Sequence, residues 1–197
     1  HIGRLGAQTL APILIENETL IMLNLGNNEI GDDGAKALAE ALPSSKLLQS
    51  LELANNGIGP EGAEALAVSL IENENLNFLG LSWNHIGDRG AQALAQPLLT
   101  SDSLTTLYLV KNGIGDDGAE ALGKALELNN SVVYLYLLEN NIRDLGAAAL
   151  AKALEKNEML KRLELALNDI GPDGAAALAE ALKKNESLTS LALSRNH

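Results

Sequence analysis

The sequence predicts an α/β horseshoe solenoid of about seven repeats, with a parallel β-sheet on the concave side and α-helices on the convex side. The 197 residues repeat with a constant period of 28, so residues 1–197 are expected to form a single array. Within each repeat, leucines first alternate with variable residues and then recur at helical spacing. One such unit cannot bury its apolar face alone, but stacked units can. The repeats start at Leu20, Leu48, Leu76, Leu104, Val132, Leu160 and Leu188.

The first third of each repeat predicts a short strand and a turn. Counting the first residue of a repeat as position 1, positions 4 and 6 are leucine in every repeat, whereas positions 3 and 5 vary. This alternation is typical of a strand with one buried face. Position 9 is always asparagine, from Asn28 to Asn196, and we expect its side chain to satisfy buried backbone groups of the turn.

The remainder of each repeat predicts an amphipathic helix. Positions 15 and 16 are glycine and alanine, and positions 19 and 23 are leucine, so all four lie on one helical face. Position 13 is aspartate or proline in most repeats, which indicates a helix start. Strands pair at about 4.8 Å whereas helices are about 10 Å across, so stacking curves the array with its strands inside.

The pattern LxxLxLxxNxIGxxGAxALAxAL resembles the ribonuclease-inhibitor-like class of leucine-rich repeats. Members of that class include ribonuclease inhibitor, the Ran GTPase-activating protein and nucleotide-binding leucine-rich-repeat receptors. The resemblance covers essentially the whole chain and implies a scaffold for protein recognition. The chain departs from ribonuclease inhibitor, which is rich in cysteine and alternates two repeat lengths, because it has no cysteine and one repeat length.

Composition excludes several classes of function. A formal net charge of −12 argues against binding to nucleic acid or to an anionic membrane. The absence of cysteine excludes disulfides, thiolate metal sites and a cysteine nucleophile. No apolar run approaches the ~18 residues of a spanning helix, and we identify no signal peptide. We therefore expect a cytoplasmic protein.

The two ends of the array carry no polar cap. His1 and His197 both occupy position 10 of a repeat, and nothing covers Leu188, Leu191 or Leu193. Open solenoid ends normally need capping. We expect either a fragment of a longer array or a chain whose ends associate with each other.

The variable inner-face positions 3, 5 and 8 contain all five aromatic residues of the chain, and all five lie in three consecutive repeats. In-register pairing places Tyr108 beside Tyr136 and Lys111 between Trp83 and Glu139. Trp, Tyr and Arg dominate interface hot spots, so we predict a partner-binding patch. The alternative is that these aromatics stabilise the sheet. The predicted patch comprises Phe78, Trp83, Tyr108, Lys111, Tyr134, Tyr136, Glu139, Arg162 and Glu164, with Tyr134 beside Arg162.

Other motifs do not predict a catalytic, metal or cofactor site. Residues 57–62 and 113–118 match GxGxxG, but their glycines at positions 12 and 15 belong to the repeat. Glu52 and Glu164 lie four repeats apart, about 19 Å at strand spacing, which exceeds the separation used by paired catalytic carboxylates. His85 is alone, and Asp32-Asp33 lacks the ligand density of a calcium loop. We therefore expect neither a cofactor nor enzymatic activity.

Three functions remain open. The first is a non-catalytic scaffold that binds a folded protein on its concave face. The second is the ligand-sensing or regulatory segment of a larger receptor, or a regulator that resembles a GTPase activator. The third is a structural or engineered repeat spacer whose faces bind nothing.

Overall fold

The computed structural model describes all residues, His1–His197, and confirms the α/β horseshoe of strand–helix repeats. Each strand is followed by a turn and, except for the last, by a helix on the opposite side of the array. The elements are α1 (Gly3–Glu16), β1 (Met22–Asn24), α2 (Gly31–Ala41), a 3-10 turn (Leu42–Ser44), β2 (Ser50–Glu52), α3 (Pro60–Glu72), β3 (Phe78–Gly80), α4 (Gly87–Leu98), β4 (Thr106–Tyr108), α5 (Asp116–Leu126), β5 (Tyr134–Tyr136), α6 (Asp144–Leu154), β6 (Arg162–Glu164), α7 (Pro172–Leu182) and β7 (Ser190–Ala192).

The seven strands form one parallel sheet in the order β1 to β7. Each residue pairs with the residue at the same position of the next repeat, as Leu51 pairs with Leu79 and Leu79 with Leu107. This register confirms the 28-residue period in three dimensions. Equal positions therefore form rows across the concave face, and we name each row by its position number.

The core lies between the sheet and the helices. It is one cluster of 49 buried residues, drawn from the aliphatic residues of rows 1, 4, 6 and 11 and from the inner face of each helix. In the second repeat, Leu51, Leu53, Ile58 and Leu66 are completely buried. The predicted buried positions are thus confirmed, and rows 3, 5 and 8 are left to face outward from the core.

The asparagines of row 9 form a ladder that links successive repeats. Asn112 donates from Nδ2 to the carbonyl oxygens of Leu81 and Val110, at 2.9 and 3.2 Å. Its Oδ1 accepts from the backbone N–H of Ile86, and its own N–H donates to Oδ1 of Asn140. Each asparagine thus satisfies buried backbone groups of its own and the preceding repeat, which confirms the expected role.

Each row-13 aspartate caps the helix of the following repeat, a role that the sequence analysis missed. Asp116 Oδ1 accepts from the backbone N–H groups of Arg143 and Gly146, both at 2.8 Å, and these groups lie at the N-cap and third residue of α6. Asp32, Asp88 and Asp144 cap α3, α5 and α7 in the same way. A carboxylate here also suits the helix dipole.

The residue at row 13 of the preceding repeat determines how each helix starts. Where an aspartate is present, row 12 is extended, as at Arg143 with φ −109°. Where row 13 holds Arg4 or Pro60 instead, the next helix starts one residue earlier in the repeat, at Gly31 or Gly87. Those two glycines have φ of +63° and +60°, a conformation that favours glycine. An uncapped start therefore needs glycine at row 12, and a capped start does not.

Candidate protein-binding surface

Three aromatic rings from rows 3 and 5 pack together at the middle of the sheet. Tyr108 stacks on Tyr136 with ring centroids 4.0 Å apart and an angle of 18° between the planes. Phe78 contacts the Tyr108 ring at 5.3 Å and 45°. The predicted neighbours Tyr108 and Tyr136 are therefore in contact. Such pairs contribute about 0.5–1.5 kcal/mol each beyond their buried area, so the three rings form a fixed platform.

Row 8 contributes a second group, formed by Trp83, Lys111 and Glu139. The Lys111 ammonium lies 3.9 Å from the centroid of the Trp83 ring and 2.6 Å from Glu139 Oε1. The predicted order of these three residues is confirmed. Trp83 remains 50% exposed, so one aromatic surface is held in place and still faces solvent. Cations are attracted to the face of an indole ring, which orders both side chains.

The backbone of row 8 explains why its side chains project outward. All seven residues of this row have positive φ, between +52° and +63°, although none is glycine. Asn55 is the neighbour of Trp83 in this row. It donates to Asn27 Oδ1 at 2.8 Å, on the side away from the indole. The sequence analysis did not foresee this left-handed row, because leucine, tryptophan and lysine disfavour it individually.

The remaining predicted residues lie at one side of the platform. Tyr134 pairs with Arg162 in the register of β5 and β6, as expected. The Arg162 guanidinium turns to Glu164, with Nη1 3.1 Å from Oε1. Tyr134 is 42% exposed, and its ring takes part in none of the aromatic contacts described above. The structure thus brings all nine predicted residues onto one face.

Burial raises the pKa of Tyr108 to about 12, and the neighbouring Tyr136 hydroxyl raises it further. The nearby Glu52 charge acts in the same direction, while Arg162 opposes it. Desolvation disfavours the phenolate because it is the charged form. The platform therefore keeps the Tyr108 hydroxyl protonated well above neutral pH.

The concave face is far less acidic than the molecule as a whole. Rows 3, 5, 8 and 10 carry five acidic and three basic residues, a net charge of −2 against −12 for the chain. Most of the acidic excess thus lies on the helices and loops. The acidic members are Glu29, Glu52, Glu139, Glu164 and Asp169, and the basic members are Lys111, Arg162 and Arg195.

A groove of about 770 Å³ follows the turns at the carboxyl ends of the middle strands. Trp83, Lys111, Glu139 and His85 line it, together with Gly57 and Gly113, the row neighbours of His85. The groove adjoins the predicted patch and extends it toward the helix starts.

Sequence reasoning also missed a second feature of the face, at row 5. Gly80 lies between Glu52 and Tyr108 in this row. Glu52 was considered only as a member of a catalytic pair. The Glu52 carboxylate lies over Gly80 and takes up the space that a β-carbon there would need.

No group of three or more His, Asp or Glu side chains is placed to hold a metal ion. No helix combines the length and the apolar character needed to cross a membrane. The surface instead offers aromatic faces, paired charges and exposed amides, which are groups that contact another macromolecule.

Taken together, the geometry defines a rigid repeat scaffold with one chemically distinct face. The Leucine Rich repeat family matches residues 16–39, 44–67, 72–95, 100–123, 128–151 and 156–179. This chain belongs to the leucine-rich repeat family. No curated protein matches it significantly over its sequence.

Solved structures share the fold at low sequence identity. Leiomodin-1 Actin-Binding Site 2 is 21% identical with a TM-score of 0.61, over 77% of this chain and 87% of that chain. The Caenorhabditis elegans tropomodulin C-terminal domain is 20% identical with a TM-score of 0.49, over 90% and 92% of the respective chains. Pollen Receptor Kinase 3 is 19% identical with a TM-score of 0.49, over 79% and 65%. At this level of identity, the leiomodin-1 likeness shows the fold alone.

Proposed function

We propose that this chain is a non-catalytic scaffold that binds a folded protein on its concave face. One observation carries the proposal: all five aromatic residues lie in three adjacent repeats and on the same face. Strand preference alone accounts for aromatics in strands, but not for their absence from β1, β2, β6 and β7. Aromatic and arginine side chains supply most of the binding energy of interfaces.

Contacts within the chain already order the side chains of this surface in the absence of a partner. The ring stack, the Lys111 contacts and the Arg162–Glu164 pair fix most of the patch. Preformed side chains lose little conformational entropy on binding, which favours affinity. The sheet hydrogen bonds of the middle strands are used between repeats, so side chains must supply the specificity.

Two other observations support the proposal. The structure named Leiomodin-1 Actin-Binding Site 2 has this fold, so at least one module of the same architecture is named for binding a protein. The near-neutral concave face contrasts with an acidic exterior, which favours solubility of the rest of the surface. The α-helix and 28-residue length of each repeat support assignment to the ribonuclease-inhibitor-like class.

A comparison of concave and convex variants tests the proposal. Wild type, Trp83→Ala/Tyr136→Ala and Val68→Ala/Leu145→Ala are immobilised and exposed to the same host extract. Val68 and Leu145 are 64% and 78% exposed on helices, so the second variant is a matched loss of apolar surface. All three proteins should first show equal circular dichroism.

We expect a protein that is retained by the wild type and the convex variant and lost from the concave variant. Quantified binding to the purified partner then gives a loss of about 2 kcal/mol or more for a hot-spot pair. Equal retention by both variants would remove the concave face from the proposal. It would favour the structural spacer or a helix-side interface.

The alternative of a regulator that resembles a GTPase activator predicts a different result. A segment that resembles a GTPase activator should change the rate of nucleotide hydrolysis by the partner, whereas a simple scaffold should not. The same purified partner therefore serves for both tests.

A further inference from the structure

Exposed apolar side chains follow one edge of the array, where the helices end. They occupy row 24 at the ends of α1 to α4, and we call them the row-24 stripe: Ile15, Pro43, Ile71 and Leu99. Except for Pro43, each is about half exposed to solvent. At the ends of α5 to α7 the same row holds the charged residues Glu127, Glu155 and Lys183. The stripe is therefore a continuous feature of four successive repeats, unlike apolar residues that are scattered singly over a surface.

Acidic side chains without ion-pair partners border this stripe. In the loops that follow α1 to α4, rows 24–27 carry one base, Lys46, and five acids, which are Glu16, Glu18, Glu72, Glu74 and Asp102. No cationic nitrogen lies within 4.0 Å of any of these five carboxylates. The unpaired acids thus form a negative rim beside the stripe.

The charge of the same rows differs in the second half of the array. In the loops that follow α5 to α7, rows 24–27 carry four acids and three bases, a net charge of −1 against −4 in the first four loops. Two of those acids are already paired, Glu127 with Lys156 and Glu155 with Lys184. Apolar exposure and free negative charge therefore coincide in one half of this edge.

A depression of about 350 Å³ lies between the third and fourth of these loops. Ile71, Glu74 and Asp102 line it, together with smaller polar residues. Its walls thus combine one apolar side chain with two unpaired carboxylates. A lysine or arginine from a partner can lay its apolar stem along Ile71 and hold its charge beside the acids.

We propose that the row-24 stripe binds an amphipathic helix of a partner protein whose apolar face is flanked by lysine and arginine. Packed helices lie about 8–10 Å apart, so row-24 side chains recur at about this interval. Seven residues of an α-helix span about 10.5 Å, so apolar residues at heptad spacing can meet successive positions of the stripe. The acidic rim is complementary to basic flanks.

This surface is distinct from the concave patch. The stripe precedes the strands in each repeat, whereas the groove beside Trp83 follows them, so the two lie at opposite edges of the sheet. Binding at the stripe therefore goes beyond the proposed function and does not depend on it.

Fluorescence anisotropy with a synthetic peptide tests the stripe. The probe is a labelled peptide of about 21 residues, with leucine at the a and d positions of each heptad and lysine elsewhere. One control peptide has the same composition in scrambled order, and another has glutamate in place of lysine. At an ionic strength of about 0.15 M, we expect the probe to bind at least tenfold more tightly than either control.

Two variants remove the two components of the surface separately. Ile71→Ser/Leu99→Ser removes apolar contact area and should weaken binding of the probe about tenfold. Glu74→Gln/Asp102→Asn keeps the shape of the rim but removes two charges, and should weaken binding about fivefold. All four side chains are exposed, so equal circular dichroism is expected and is checked first.

Glu158→Gln/Glu186→Gln is the matched control. Both glutamates also lie in row 27 and also lack an ion pair, but their row-24 neighbours are charged. This variant should bind the probe within about twofold of the wild type. Equal losses for the two pairs of acids, equal binding of the scrambled peptide, unchanged binding by Ile71→Ser/Leu99→Ser, or no binding of the probe would overturn the proposal.

The outcome is separable from that of the capture experiment. Trp83→Ala/Tyr136→Ala should bind the probe as the wild type does, because both substitutions lie outside the stripe. If the probe fails to bind while a captured protein depends on Trp83 and Tyr136, the concave-face scaffold stands and the stripe is not a binding site. If the probe binds as expected and no captured protein depends on those two residues, the reverse holds.

Discussion

Replacing Asp116 with alanine should destabilise the array more than replacing Asp88, although both aspartates make the same contacts. Each carboxylate accepts two backbone hydrogen bonds at the start of the next helix. The difference lies in the row-12 residue of the next repeat, whose backbone would have to change to a positive φ. After loss of Asp88, Gly115 can adopt the positive φ that Gly87 already shows. After loss of Asp116, the corresponding residue is Arg143, for which that conformation is costly.

The magnitudes follow from the two contributions. Loss of a helix cap costs about 0.5–2 kcal/mol, typically about 1. At Gly115 the helix can change to an uncapped start, and this change recovers part of the lost free energy. At Arg143 the same relaxation would cost about 1–2 kcal/mol for a left-handed residue, so α6 keeps the full loss. Because each carboxylate accepts two backbone hydrogen bonds, we take the full loss at the upper end of this range, about 2 kcal/mol for Asp116→Ala, and about 1 kcal/mol for Asp88→Ala after relaxation.

Urea unfolding followed by circular dichroism measures both losses, and amide hydrogen exchange shows whether α6 opens first. The decisive variant is Arg143→Gly, which should rescue Asp116→Ala by about 1 kcal/mol in a double-mutant cycle. Arg143→Gly alone should destabilise the capped wild type, because glycine gains entropy in the unfolded chain. Equal losses for the two aspartates, with no coupling between Asp116 and Arg143, would refute the reasoning.

Three further predictions concern the ladder and the patch. Asn112→Leu should cost about 1–3 kcal/mol in urea unfolding, because Ile86 N–H loses its acceptor inside the protein. Tyr108→Phe should remove a tyrosinate absorbance component near pH 12, and should reduce the loss of stability between pH 10 and 12. That loss arises because the folded state holds a proton that the unfolded state releases. Lys111→Met should change the fluorescence of Trp83, the chain's one tryptophan, while stability changes by less than ~1 kcal/mol.

A control variant or a contrary result could contradict each of these three predictions. Asn28→Leu should cost less than Asn112→Leu, since Asn28 is only half-buried, and equal costs would remove burial as the cause. If the alkaline absorbance titration of Tyr108→Phe equals that of the wild type, the tyrosine that ionises near pH 12 is a different one. Unchanged fluorescence in Lys111→Met would place the ammonium away from the indole.

Much of the fold could be predicted because its determinants recur at a constant interval. Leu51 and Leu79 occupy equal positions, so the period alone gives their pairing, and the asparagine of row 9 indicates a satisfied turn. The helix caps could not be predicted in this way. Asp116 lies 27 residues before Arg143, and only the stacking of repeats brings the carboxylate to that N–H. The pattern within one helix does not indicate this contact, because it joins the helices of two repeats.

The sequence predicts which residues of the candidate surface are neighbours, but not how far their side chains reach. The stack of Tyr108 on Tyr136 and the position of Lys111 between Trp83 and Glu139 follow from register. The position of the Glu52 carboxylate over Gly80 does not, because it depends on how far that side chain reaches across the neighbouring strand. Side-chain reach depends on rotamers and on a hydrogen bond to Ala54, and neither is encoded by spacing.

Exposure separates the two explanations of the aromatic cluster. Tyr108 is largely engaged by Phe78 and Tyr136, so truncating it removes packing and tests the stability of the sheet. Trp83 and Tyr134 are 50% and 42% exposed, so truncating them removes mostly free surface. A sheet-packing role predicts the larger loss of stability at Tyr108 and no loss of binding anywhere. A binding role predicts that Trp83 and Tyr134 lose affinity at nearly constant stability, because an exposed aromatic gains most of its buried area only when a partner covers it.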